Sequence, residues 1–119
     1  MSNYEGIIGI TVFNCEGKIS YASENMQLTL EDVATIVHSW TENIPNFTVK
    51  HMPFITALSE QNGIVGVNPD GAVSIIVGTG KGVWYVAAFA AMDEDKFGIL
   101  RECVQAAKNL ESSVSIYDV

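Results

Sequence analysis

Hydrophobic and polar positions along this chain alternate in two periods, one suited to strands and one to helices. Over residues 6–13 (GIIGITVF), Ile8, Ile10 and Val12 share one face, and Ile7, Thr11 and Phe13 the other. Both faces are largely apolar, which predicts a strand inside a sheet rather than at its edge. Asn14-Cys15-Glu16-Gly17 reads as a hairpin turn, with Gly17 suited to positive φ. Residues 18–22 return as a short second strand.

A helix follows. Thr29 is a good N-cap, and Asp32 sits three positions later as a variant capping box. Glu31 and Asp32 complement the helix dipole. Leu30, Val33, Val37, Trp40 and Ile44 form an apolar stripe at helical spacing, and Pro45 ends it. Ile36 lies off that stripe. Apolar residues on more than one face predict contact with both the sheet and something else.

From Phe47 to Met92 the period is that of strands. Residues 47–50 lead into a run over 52–59, where Pro53 marks a strand start, edge or bulge. Strands are predicted over 64–67, 72–77 and 83–91. The turns between them are Gln61-Asn62-Gly63, Asn68-Pro69-Asp70-Gly71 and Gly78-Thr79-Gly80-Lys81-Gly82. Connections this short favour antiparallel pairing, because parallel pairs need long crossovers. Trp84 and Tyr85 are neighbours on one strand and so point to opposite faces. Asp93 is the expected N-cap of a last helix, with Glu94 and Asp95 in its first turn. That helix carries a stripe of Phe97, Leu100, Cys103, Val104, Ala107 and Leu110. Residues 112–119 read as a short β-prone tail, an added edge strand or a frayed end.

These elements predict an α+β fold, an antiparallel sheet of five to six strands flanked by two helices. The order is β-β-α-β-β-β-β-α. A length of 119 residues implies one domain over 1–119, long enough to bury a real core.

Composition narrows the function. Six Lys and Arg face fourteen Asp and Glu, for a net charge of −8, and the six cations are scattered singly. Nucleic acid and anionic membranes are therefore poor partners, because phosphate contacts need clustered cations. No apolar run reaches the length of a transmembrane helix. Only 17% of residues are charged, which suggests that a partner covers part of the surface. Two cysteines, no disulfide framework and no basic N-terminal leader point to a reduced, cytoplasmic setting.

No catalytic constellation emerges, and no cofactor or metal is expected. The glycine-rich turn at 78–82 lacks the spacing of a phosphate loop and precedes a strand, so it reads as a plain hairpin. His38 and His51 have no metal-ligand spacing with the cysteines, and Cys103 sits on an apolar stripe. Asp93-Glu94-Asp95 fits helix capping better than a cation site.

Two segments resemble the roadblock family of dynein light chains and small-GTPase regulators, a branch of the longin/profilin-like superfold. Residues 6–17 (GIIGITVFNCEG) with 19–23 (ISYAS) look like its opening hairpin, and residues 97–110 (FGILRECVQAAKNL) like its closing helix. The resemblance implies a non-enzymatic scaffold. It would dimerise, with itself or a relative, through the first long helix and the next strand, and dock a Ras-like small GTPase. Val33, Ile36, Val37, Trp40 and Phe54 would form that interface. Residues 20–37 (SYASENMQLTLEDVATIV) are similar to the second strand and following helix of profilins, which carry more sheet strands. That resemblance implies the alternative, a monomeric actin-binding protein that regulates actin polymerisation.

Overall fold

The computed structural model describes residues 7–16, 18–22, 28–49, 52–69, 73–91 and 95–117. Strands β1 (Ile7–Asn14) and β2 (Ile19–Ala22) precede helix α1 (Leu30–Thr41). Five strands follow: β3 (Asn46–Val49), β4 (Met52–Ser59), β5 (Gly63–Val67), β6 (Val73–Thr79) and β7 (Trp84–Ala91). Helix α2 (Lys96–Tyr117) comes last. All seven strands join one antiparallel sheet in the order β2-β1-β7-β6-β5-β4-β3.

The expected count of five to six strands and the order β-β-α-β-β-β-β-α are therefore incorrect. Five strands, not four, lie between the helices, giving β-β-α-β-β-β-β-β-α. The cause is the segment at 46–59. Asn46–Val49 folds back on Met52–Ser59, with Phe47 opposite Phe54 and Thr48 opposite Pro53. The link between the two strands is Lys50-His51, which carries none of the Gly, Asn or Asp chemistry that signals a hairpin. Both linking residues lie outside the described residues. Pro53 fits because it is the second residue of β4 and precedes the β4–β5 ladder, which begins at Ile55, so its missing N–H leaves no ladder bond unmade on that side.

The ends of the helices also differ from expectation. Thr29 caps α1: its hydroxyl accepts from the Asp32 N–H, and the Asp32 carboxylate accepts from the Thr29 N–H. At the other end Ile44 lies beyond the helix. Asn43 takes φ 55°, its N–H reaches the Trp40 carbonyl, and the Ile44 N–H reaches that of Ser39. This is a Schellman closure with Asn in the left-handed position. Helix α2 begins at Lys96, and the Asp95 carboxylate accepts from the Gly98 N–H. The cap is thus Asp95; Asp93 and Glu94 lie outside the described residues. The expected β-prone tail is helical to Tyr117, and Asp118 and Val119 are outside the described residues.

Two cores flank the sheet. Ile36 and Val33 of α1 pack with Phe13, Phe54, Ile64, Ile75, Val77 and Phe89 on one face. Ile99, Leu100, Cys103 and Ala107 of α2 pack with Val65, Ile76, Val86 and Ala88 on the other. Successive residues of β5, β6 and β7 alternate between the cores, so the two helices cover opposite faces. Tyr85 faces α1 and stacks on Phe13 with ring centroids 5.1 Å apart.

The buried side of α1 is rotated from the expected stripe. Val33, Ile36 and Ser39 are buried, whereas Leu30 is 64% exposed. Ile36 is at the centre of contact with the sheet rather than off it.

Candidate functional site

Nothing in the described part of the chain assembles reactive groups. No cluster of three or more His, Cys, Asp or Glu side chains suits a metal ion among the described residues. His38 is exposed on α1, and His51 lies outside the described residues. Cys15 is exposed and Cys103 buried, and both are free thiols. Burial, aided by the Glu102 carboxylate, pushes the Cys103 thiol up to about 12, so it stays protonated and inert. No described helix is long and apolar enough to cross a membrane.

The five residues expected to form an interface divide by burial. Val33, Ile36 and Phe54 are at most 2% exposed, all three inside the α1-side core. Val37 and Trp40 are half-buried. With Tyr85 they separate two shallow grooves. One, of about 450 Å³, lies between α1 and the β1–β2 turn and includes Cys15, Leu30 and His38. The other, of about 310 Å³, runs from Trp40 to Lys81. Two polar groups of the second groove are already engaged: the Trp40 indole N–H donates to the Glu60 carbonyl at 2.7 Å, and the Thr79 hydroxyl to the Trp84 carbonyl at 2.7 Å. Burial raises the Tyr85 phenol above its usual range, and the charges of Cys15 and Glu111 add to this.

Sequence reasoning missed an open apolar surface. Helix α2 rests on β6 and β7 and reaches β5. Phe54 of β4 points into the α1-side core, so its neighbours Pro53 and Ile55 point to the α2 side. There they are exposed, Ile55 at 48%. Ile55 pairs with the half-buried Val67 at the end of β5. Val67 pairs with Ser74 beside the end of β7, where the chain turns into α2. Phe97, in the first turn of α2, is 55% exposed at that same end of the sheet. The signal available in the sequence was Pro53. It marks a strand start, edge or bulge, and here it stands at the start of β4.

The glycine-rich segment expected to be a plain hairpin does join β6 to β7. It also holds an anion. Glu111 of α2, only 5% exposed, inserts its carboxylate among the backbone N–H groups of the turn. Lys81 N lies 2.8 Å and 2.9 Å from its two oxygens, and Val83 N and Trp84 N lie 3.0 Å and 3.2 Å from Oε2. Asn62 braces the turn from β5's side, its amide donating to the carbonyls of Thr79 and Gly80.

No protein-family model matches the sequence, and no curated protein matches it either. Solved structures do. Loki profilin 2 in complex with rabbit actin has a TM-score of 0.80 at 16% identity, covering 92% of this chain and 87% of that one. Loki profilin 1 in complex with rabbit actin gives 0.79 at 16% identity over 92% and 86%. Acanthamoeba castellanii profilin IB gives 0.73 at 10% identity over 91% and 87%. The chain has the profilin fold, which accounts for the seven strands. The roadblock resemblance finds no support in these structures, nor do the Ras-like GTPase partner and the dimer that it implied.

Proposed function

We propose that this chain is a profilin-like protein that binds monomeric actin and thereby regulates actin polymerisation. It acts as a single domain over 1–119, in the cytoplasm and without catalysis. The observation that carries this reading is the match over 92% of the chain to two profilins bound to actin. Fold alone does not assign a partner, so the reading also needs a surface that suits one. The open α2-side surface of β4 and the end of β5, with Ile55 and Val67, together with Phe97 at the start of α2, supplies it. These side chains are apolar and accessible without unfolding anything, as the core of a protein interface requires. Val37 and Trp40 lie on the other side of the sheet and contribute through their grooves; Val33, Ile36 and Phe54 contribute by holding the sheet. The test is the polymerisation of rabbit actin with increasing amounts of the protein. Polymer formation falls in proportion to the protein added, and Phe97→Asp removes the effect. Unchanged polymerisation at a severalfold excess would refute the reading.

A further inference from the structure

The glycine-rich turn offers a second, independent inference. Three successive features make it an anion receptor. Gly82 adopts φ +86°, which turns neighbouring N–H groups toward one side in the manner of a backbone nest. Gly80 leaves its Cβ position empty, and a Cβ there would collide with the Glu111 carboxylate. The N–H groups of Lys81, Val83 and Trp84 all converge on that carboxylate, at 2.8 to 3.2 Å. The hydroxyl of Thr79 is also committed to the loop, accepting from the Gly82 N–H at 3.0 Å.

We propose that the turn is a carboxylate-binding site occupied in cis, with Glu111 as a latch that fastens α2 to the β6–β7 turn. The site suits a carboxylate. Charge-assisted hydrogen bonds from backbone N–H groups are about twice as strong as neutral ones, and a buried carboxylate is tolerated only when so satisfied. The latch acts on a turn that also borders the groove beside Trp40, because Gly80 and Lys81 line that groove. It fixes the turn's shape on the α1 side from a residue on the α2 side. This inference stands whether or not the protein binds actin.

Chemical rescue tests it. Glu111→Ala removes the Glu side chain beyond Cβ, and acetate replaces those atoms one for one. The variant melts about 10 °C below the wild type, as expected for three orphaned donors in a chain of this size. Acetate at about 0.5 M then recovers roughly 3–5 °C in the variant, while chloride at equal ionic strength does not. Equal effects of acetate and chloride, or equal acetate stabilisation of the wild type, overturn the proposal. Should Glu111→Ala fail to fold, Glu111→Gln decides. It keeps the shape but loses the charge, so the amides of Lys81, Val83 and Trp84 exchange with solvent at least about tenfold faster, and those of the β6–β7 ladder at Ile76 and Ala88 do not. Unchanged exchange at the three turn amides contradicts the latch.

Discussion

Gly78 of β6 lies directly beneath Val104 of α2. A Cβ at Gly78 would come within 2.7 Å of the Val104 backbone nitrogen and 2.9 Å of the Cys103 Cβ. Neither neighbour is the flexible end of a side chain, so helix and strand must separate to admit even a methyl group. Gly78→Ala should therefore destabilise the fold by about 1–3 kcal/mol, the usual range for overpacking. Urea unfolding reads this directly. An unchanged midpoint would mean that α2 does not sit so close to the sheet.

The rotated face of α1 makes opposite demands on two of its residues, Ile36 and Leu30. Ile36→Asp puts an unpaired charge at a position 0% exposed, and is expected to cost more than about 4 kcal/mol and leave the chain unfolded. Leu30→Asp changes a side chain that is 64% exposed, and should stay within about 0.5 kcal/mol of the wild type. Circular dichroism of the two variants separates them. If Ile36→Asp folded normally, the buried face of α1 would be misplaced.

Thiol chemistry should distinguish the two cysteines. Cys15 reacts readily with a disulfide reagent in the native protein, whereas Cys103 reacts only after denaturation. Alkali acts through the same burial. The Cys103 thiol ionises near its ordinary 9.0 in the unfolded chain and near 12 in the native one. Between those values the unfolded state has lost a proton that the native state keeps, so stability falls as pH rises through that window. Below pH 9 the contribution is fully present. Tyr85 is raised in the same direction and adds to the loss. Denaturant midpoints measured from pH 8 to 11 should fall, and Cys103→Ala should flatten the decline.

Most elements were legible because their periods were clean. β4 reads off MPFITALS directly, and the Thr29–Asp32 capping box fixed the start of α1. What was illegible has specific causes. The sequence Lys50-His51 between β3 and β4 carries no turn chemistry, so two paired strands read as one approach. On α1, apolar residues at 30, 33, 36, 37 and 40 fit two phases of the same helix, and only packing against Phe13 and Phe89 selects the one that buries Ile36. Phe97 fitted the apolar stripe of α2 and yet stands exposed, because that end of the helix lies where the sheet's cover gives out. Glu111 gave a sign that went unread. It lies four residues after Ala107 and seven after Val104, a charged residue on a buried stripe, and a buried charge implies a partner.

The open face beside α2 is the surface proposed to meet actin, and its two most exposed apolar residues, Ile55 and Phe97, are not needed for folding. Ile55→Asp and Phe97→Asp should each melt within a few degrees of the wild type, about 0.5 kcal/mol or less, because both side chains are about half exposed already. Each should weaken binding to monomeric actin by at least about tenfold, the loss expected when a charge enters the centre of an interface. A variant that melts normally and binds normally would move the contact to another surface.

The most direct test is sedimentation velocity of the protein mixed with monomeric rabbit actin at about 50 μM each, well above a micromolar dissociation constant. A single boundary with the mass of one actin and one copy of this chain is the predicted result. Two boundaries, each moving as its protein does alone, would contradict the actin-binding account.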